Sequence, residues 1–321
     1  MSQVSTPHAI GSLLCAAALL AAGPSLWRAG AIAQQGPKHL NPMVEKLSQG
    51  KPVFGIATDD FSMENARAIA RADIDYVRIE QEHAPMNFEK VRDFLIGMID
   101  KTAILKKGNA QVNVAPVARF APYGHESNAW IVKQALDIGL MGVMFNQVDT
   151  PEQAIAAVRA MRYPQRRTSK HPLPQGIRGS GASNALWFWG VSNAEYFDRA
   201  DVWPLNPDGD LLCIIMIESV EGVKNLDAIA AVPGVGMLFP GAAGDLGNSL
   251  GVPPGSPERE QGLQTVLKAC LRHNVPCGVL ANANDIPRRI KEGWKYLEVP
   301  GGAISAAGEA ALKAGRAALQ P

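Results

Sequence analysis

The chain has 321 residues, 47% of them hydrophobic and 19% charged, with a formal net charge of +1. This composition marks a folded chain with ample apolar material for a core, and the length admits one large barrel or two ordinary domains. The near balance of charge excludes nucleic acid as a partner, because no basic excess is available to neutralise phosphates.

Residues 1–33 read as separable from the rest. Residues 10–23 are an apolar run rich in alanine and leucine, too short to span a bilayer comfortably. Pro24 follows, and Ala31-Ile32-Ala33 before Gln34 fits a small-residue signal-peptidase site. The first eight residues contain no Lys or Arg, which leaves the α-amino group as their positive charge. The expectation is an export signal over 1–33 and a mature domain over 34–321, periplasmic or extracellular and without a membrane span. A cytoplasmic chain is the alternative. Removing 1–33 takes away Arg28 and no acid, leaving 30 basic and 30 acidic residues. Of the cysteines beyond the leader, Cys213 belongs to a buried apolar run, where the thiol acts as a small hydrophobe. Cys270 and Cys277 can pair in an oxidising compartment, although an odd count and a large core make a disulfide framework unnecessary.

From there, strand and helix signals alternate to the end. Strand-like apolar runs occupy 53–58, 76–80, 112–119, 142–145, 211–218, 235–239, 276–280 and 296–299. Between them, Met63, Ala66, Ile69 and Ala70 recur at helical spacing, as do Phe88, Val91, Leu95 and Met98. Thr150-Pro151-Glu152-Gln153 starts a helix with a capping residue, a proline at the first helical position and a glutamine that reaches back. Ser256-Pro257-Glu258 opens another, with Leu263, Val266, Leu267 and Cys270 facing inward. Eight strands each followed by a helix predict an α/β fold, a single-domain (β/α)8 TIM barrel behind the leader. An open doubly wound sheet is the runner-up and lacks a GxGxxG turn. One long connection, 162–210, shows no clear strand and holds Trp187, Trp189 and Trp203. It is expected to leave the fourth strand and arch over the C-terminal face of the barrel.

Fully buried parallel strands read as unbroken apolar runs, and two of these end in a lone acid. Residues 211–217 run into Glu218. Residues 235–239 run into the turn Gly241-Ala242-Ala243-Gly244-Asp245. A carboxylate at the C-terminal end of a parallel strand lies where such folds place ligands, and two of them can hold a divalent cation through oxygen. The second strand ends Ile79-Glu80-Gln81-Glu82-His83 and the third ends Ala118-Arg119. A cation, an arginine and a histidine on one face are the parts needed for proton abstraction or carbon–carbon cleavage beside a carbonyl. The cation polarises the carbonyl, arginine binds its oxygen or a carboxylate, and histidine moves the proton.

Residues 40–314 resemble the class II, metal-dependent pyruvate aldolases of the HpcH/HpaI family. The pieces that carry the resemblance are Ile79-Glu80-Gln81-Glu82-His83-Ala84-Pro85, against the family pattern I-D-x-E-H-A-P, with Val117-Ala118-Arg119 and Leu136-Asp137-Ile138-Gly139. Arg162-Tyr163-Pro164, Gly176-Ile177-Arg178-Gly179, Lys224-Asn225-Leu226 and the segment from Gly241 to Leu246 follow in the family's order. The resemblance implies that Glu218 and Asp245 are the metal ligands, for Mg2+, Mn2+ or Co2+. It also implies that Arg119 stabilises a pyruvate enolate and that His83, oriented by Asp137, transfers the proton through water. Glu80 and Glu82 would support the histidine, and the backbone at Gly244 and Asp245 would bind the carboxylate of a 2-oxo acid. Met216 stands where the family has Gln, and Glu80 where it has Asp. The implied activity is a lyase, the reversible aldol cleavage of a 4-hydroxy-2-oxo acid to pyruvate and an aldehyde by a homo-oligomer, often a hexamer. The alternatives are an acyl-CoA ester lyase, an oxaloacetate-type decarboxylase, or an exported binding protein without turnover. A coenzyme A ester would need a basic patch near the site, and Arg166, Arg167 and Lys170 are the dense candidate.

Overall fold

Parallel strands alternate with helices through the described residues, and the strands are the apolar runs. They are β1 (Val53–Thr58), β2 (Tyr76–Gln81), β3 (Ala115–Tyr123), β4 (Gly142–Asn146), β5 (Val202–Trp203), β6 (Leu211–Ile217), β7 (Met237–Pro240), β8 (Gly278–Leu280) and β9 (Tyr296–Glu298). The structure, a computed structural model, describes residues 36–241, 244–301 and 304–320. The expected export leader, 1–33, lies outside the described residues.

The sheet curls in the order β8-β9-β1-β2-β3-β4-β6-β7, with β5 added beside β6. All of these pairings are parallel. The result is TIM-like but corrects the expectation of a regular closed eight-stranded barrel: it is a curled half-barrel of eight parallel strands. The seam lies between β7 and β8, where a single bridge, Leu238 to Cys277, replaces a ladder. Leu238 N–H donates to Pro276 O at 3.1 Å, and a proline has no N–H to return. Of the expected strand 276–280, only Gly278–Leu280 pairs as a strand, and it does so with β9. Along β6, the edge away from β4 is shared: β5 takes its start, Val202 to Leu211, and β7 its later part, Ile214 to Met237.

Helices cover the outer face with the apolar stripes read from sequence. Helix Phe88–Gly97 buries Val91, Phe94 and Leu95, and helix Pro257–His273 buries Leu263, Val266, Leu267 and Cys270. Each such side chain contributes about 1.5–3 kcal/mol when fully removed from water. Thr150 and Gln153 form the reciprocal cap of helix Pro151–Met161. Cys270, at the end of its helix, is disulfide-bonded to Cys277 just before β8. No helix among the described residues is long and apolar enough to cross a membrane.

The connection 162–210 departs from expectation in content and in place. It holds two short helices, Ser183–Trp189 and Asn193–Arg199, and ends in β5. It does not arch over the C-terminal face, because the chain enters it from helix Pro151–Met161, which has already returned to the N-terminal ends of the strands. Trp189 Nε1 donates to Gly139 O at 2.8 Å and Tyr196 Oη to Leu136 O at 3.0 Å. Both acceptors lie at the far end of helix Ala129–Asp137, away from the strand ends that carry Glu218 and Arg119.

Candidate active site

At the C-terminal ends of the strands, a cavity of about 430 Å³ is lined by Arg119, Met216, Glu218, Gly241 and Asp245, with His83 at its rim. Strand alternation explains the set: Met216 and Glu218 are two residues apart and face the same side. Four residues predicted from separate strand ends therefore meet around one space.

Glu218 is its most unusual member. It follows the fully buried β6, is itself 3% exposed, and accepts one hydrogen bond, 2.9 Å from the Gln147 N–H. Its carboxyl sits at about 7: burial lifts it most, the Gln147 amide pulls it down, and the charges of Glu82 and Asp245 add to the rise. Gly241 makes room for it, since a Cβ there would lie 2.3 Å from Glu218 Oε1. A buried carboxylate facing another acid, in a cradle cleared of side chains, suits a bound cation. The donor set is two carboxylates. Among the described residues no group of three or more His, Cys, Asp or Glu side chains is arranged around a metal position. Two carboxylates fit an oxygen-seeking ion of the Mg2+ type, which keeps several waters and takes substrate oxygens in its remaining positions. Asp245 opens the helix Asp245–Ser249, and residues 242–243 of the turn before it lie outside the described residues. The N–H of Gly244, expected to receive a carboxylate, is directed at Gly241 O, 3.3 Å away.

Arg119 lines the same cavity, its side chain 13% exposed. Its Nε and Nη2 lie 3.0 and 2.5 Å from Glu80 Oε2, and its Nη1 lies 2.8 Å from Glu82 Oε2 and 3.9 Å from the Met216 sulfur. Burial pushes Glu80 up, but the hydrogen bonds and charges of Arg119 and Arg78 win and hold it at about 2. Glu82 moves the other way: burial raises it, outweighing the pull of Arg119 and His83. His83 is 68% exposed at the side chain, with Nε2 3.3 Å from Glu82 Oε2. The two carboxylates expected to support the histidine are chiefly engaged with the arginine.

Asp137 does not reach His83 within this chain. It ends helix Ala129–Asp137, at the opposite end of the strands, and pairs with the buried Arg178 at 2.7 Å. Burial raises its carboxyl against the pull of that arginine. Helix geometry is the reason: five residues before β4 begins, a side chain is a full strand length from the strand's C-terminal end. Arg166, the suggested phosphate contact, lines a separate cavity with Tyr163 and Asp201.

The charged cavity residues Arg78, Glu298, Arg259 and Glu260 were missed. Arg78 and Glu298 lie in the middle of apolar strand runs, Arg78 8% and Glu298 3% exposed, and bind each other through two 2.7 Å hydrogen bonds. A charged residue inside an otherwise buried strand is the signal that marks them.

The chain matches the family model described as HpcH/HpaI aldolase/citrate lyase over residues 59–297. A hydroxypyruvate/pyruvate aldolase of Roseobacter denitrificans is 33% identical over 215 residues, 67% of this chain and 72% of the relative. One from Delftia acidovorans is 30% identical over 262 residues, 81% of this chain and 86% of the relative. Among solved structures, an HpcH/HpaI aldolase/citrate lyase family protein from Burkholderia cenocepacia superposes with a TM-score of 0.66 at 28% identity, covering 87% of this chain and 98% of that one. With its strand-end acids, arginine and histidine around one cavity, this chain is a carbon–carbon lyase and belongs to the HpcH/HpaI aldolase/citrate lyase family.

Proposed function

We propose that the chain cleaves a 4-hydroxy-2-oxo acid reversibly to pyruvate and an aldehyde, with Glu218 and Asp245 holding a divalent cation. The observation that carries this reading is the buried Glu218 carboxylate, raised to about 7 in a glycine-cleared cradle within the cavity that Arg119 also lines. When bound there, the cation supplies Lewis acidity to the 2-oxo group. The backbone at Gly244 and Asp245 receives the substrate carboxylate, for which the Gly244 N–H turns away from Gly241 O. Arg119, aimed by Glu80 and Glu82, donates to the oxygen on which negative charge develops. His83, at the rim beside water, takes the proton of the 4-hydroxyl through a water molecule as the C3–C4 bond breaks and the aldehyde leaves. The electron pair passes into the pyruvate enolate, which is then protonated at C3. The names of the aldolase relatives support pyruvate as the common product.

The test is exchange of pyruvate methyl protons in D2O with Mg2+, Mn2+ or Co2+, and again after EDTA. Metal-dependent exchange that disappears in Glu218→Ala and Asp245→Ala supports the reading. Absence of exchange with every metal refutes it and leaves a binding protein. Release of pyruvate from 4-hydroxy-2-oxo acids, and not from coenzyme A esters or oxaloacetate, separates the aldolase from the alternatives. Export of the chain after cleavage before Gln34 is a further part of the proposal, supported by the Cys270–Cys277 disulfide, since such bonds persist in oxidising compartments.

A further inference from the structure

Arg119 and His83 are held by one side chain. Glu80 directs its Oε2 at the Arg119 Nε and Nη2, while its Oε1 accepts the backbone N–H groups of Glu82 at 2.8 Å and His83 at 3.3 Å. The same Oε2 takes a second guanidinium, Nη1 of Arg78. Arg78 is in turn gripped by Glu298 of β9 through Nε and Nη2, both at 2.7 Å. A chain of ion pairs thus links β9, β2 and β3 across the intervening β1, from Glu298 through Arg78 and Glu80 to Arg119, along the floor of the cavity. Cross-strand register puts Glu80 directly beside Arg119, and β1, between β9 and β2, brings Glu298 within reach of Arg78.

Two features make this more than a structural staple. A buried ion pair is a weak source of stability compared with apolar side chains of the same volume, so folding alone gives little reason for Arg78 and Glu298. Glu80 is also one methylene longer than the Asp of the family pattern, and the extra reach allows one oxygen to serve two arginines while the other orders the His83 loop. We infer that Arg78 and Glu298 are positioning residues for the lyase reaction: they anchor the Glu80 carboxylate, which sets the guanidinium of Arg119 and the backbone that carries His83. This rests on the proposed roles of Arg119 and His83. The groups facing Glu80 are Arg78 on its own strand, Arg119 on β3, and Glu82 and His83 in the loop, with Glu298 and Tyr296 of β9 one step behind Arg78.

The experiment compares the wild-type chain with Arg78→Leu/Glu298→Leu, which removes both charges together, and with Glu80→Asp, which removes one methylene and no charge. Pyruvate methyl-proton exchange with saturating Mn2+ is followed against pH and pyruvate concentration. The double variant is expected to exchange at least tenfold more slowly, with KM changed less than threefold and the acidic limb of the profile displaced upward. Glu80→Asp is expected to slow exchange at least tenfold as well, and it keeps the test open if the double variant does not fold. Rates within twofold of wild type and an unmoved acidic limb in a folded variant overturn the inference. A second readout separates this from failure of the lyase reading, which would show as a wild-type chain without exchange. In [13C-carboxyl]glutamate-labelled protein, the resonance lost in Glu80→Gln must titrate at higher pH in the double variant than in the wild type. An unshifted titration overturns the anchoring role whether or not the wild type exchanges.

Discussion

Replacing Glu218 by glutamine should stabilise the metal-free protein at alkaline pH while destroying its activity. The Glu218 carboxyl has an ordinary value of 4.5 and sits at about 7 in the fold. A folded-state value above the unfolded one means that the native state holds the proton more tightly. The group therefore favours folding below about 4.5, and this contribution is lost as pH rises through about 7. At 1.36 kcal/mol per pH unit of displacement, the loss is about 3 kcal/mol by pH 8.5. Glutamine keeps the shape and the acceptor for the Gln147 N–H and carries no charge, so the variant should lack this slope. Urea midpoints read by tryptophan fluorescence at pH 5.5, 6.5, 7.5 and 8.5 in EDTA would give the two curves. The difference between them isolates Glu218, because the remaining titrating groups are common to both chains. Adding Mn2+ at pH 8.5 should recover the lost stability in the wild type and leave the glutamine variant unmoved. Parallel curves in EDTA would refute the claim that burial raises this carboxyl, and with it the argument that the cradle awaits a cation.

Gly241→Ala puts a methyl group 2.3 Å from Glu218 Oε1; overpacking should lower stability by about 1–3 kcal/mol and abolish stabilisation by Mn2+, as seen in melting curves with and without the ion. Arg119→Lys keeps the charge but loses the fork that spans Glu80 and Glu82, and proton exchange should slow on the order of 10²-fold, measured with pyruvate at saturation. In the chain from Gln34, thiol titration under denaturing, non-reducing conditions should find one free thiol, Cys213, with Cys270 and Cys277 paired; three would exclude the disulfide. Cys270→Ser/Cys277→Ser should lower stability by about 2 kcal/mol, the loop-closure value for so short a loop, read as a urea midpoint under oxidising conditions. Fractionation with N-terminal sequencing tests the leader: export predicts a chain starting at Gln34 outside the cytoplasm, and a full-length cytoplasmic chain refutes it.

What the sequence determined by itself was local and periodic. Apolar runs marked the eight main strands because burial on both faces of a parallel sheet demands continuous hydrophobicity. Glu218, Asp245, Arg119 and His83 stood out because each ended such a run with a polar group, and strand ends on one side of a parallel sheet converge wherever the sheet curls. Their meeting around one cavity follows from that geometry without knowledge of any single contact. Other features depended on partners distant in sequence. The weak seam at β7 and β8 comes with Pro276 facing Leu238, a meeting of distant segments that no single run records. The segment 162–210 lies at the far end because the preceding helix has already reversed the chain, and Asp137 is parted from His83 for the same reason. Arg78 and Glu298 are 220 residues apart. Each alone looks like a misplaced charge in a buried strand, and only the curl of the sheet makes them a pair and gives Glu80 and Arg119 their anchor. Side-chain periodicity is written in neighbours along the chain, whereas register, closure and charge pairing are settled by whichever distant segments the fold brings together.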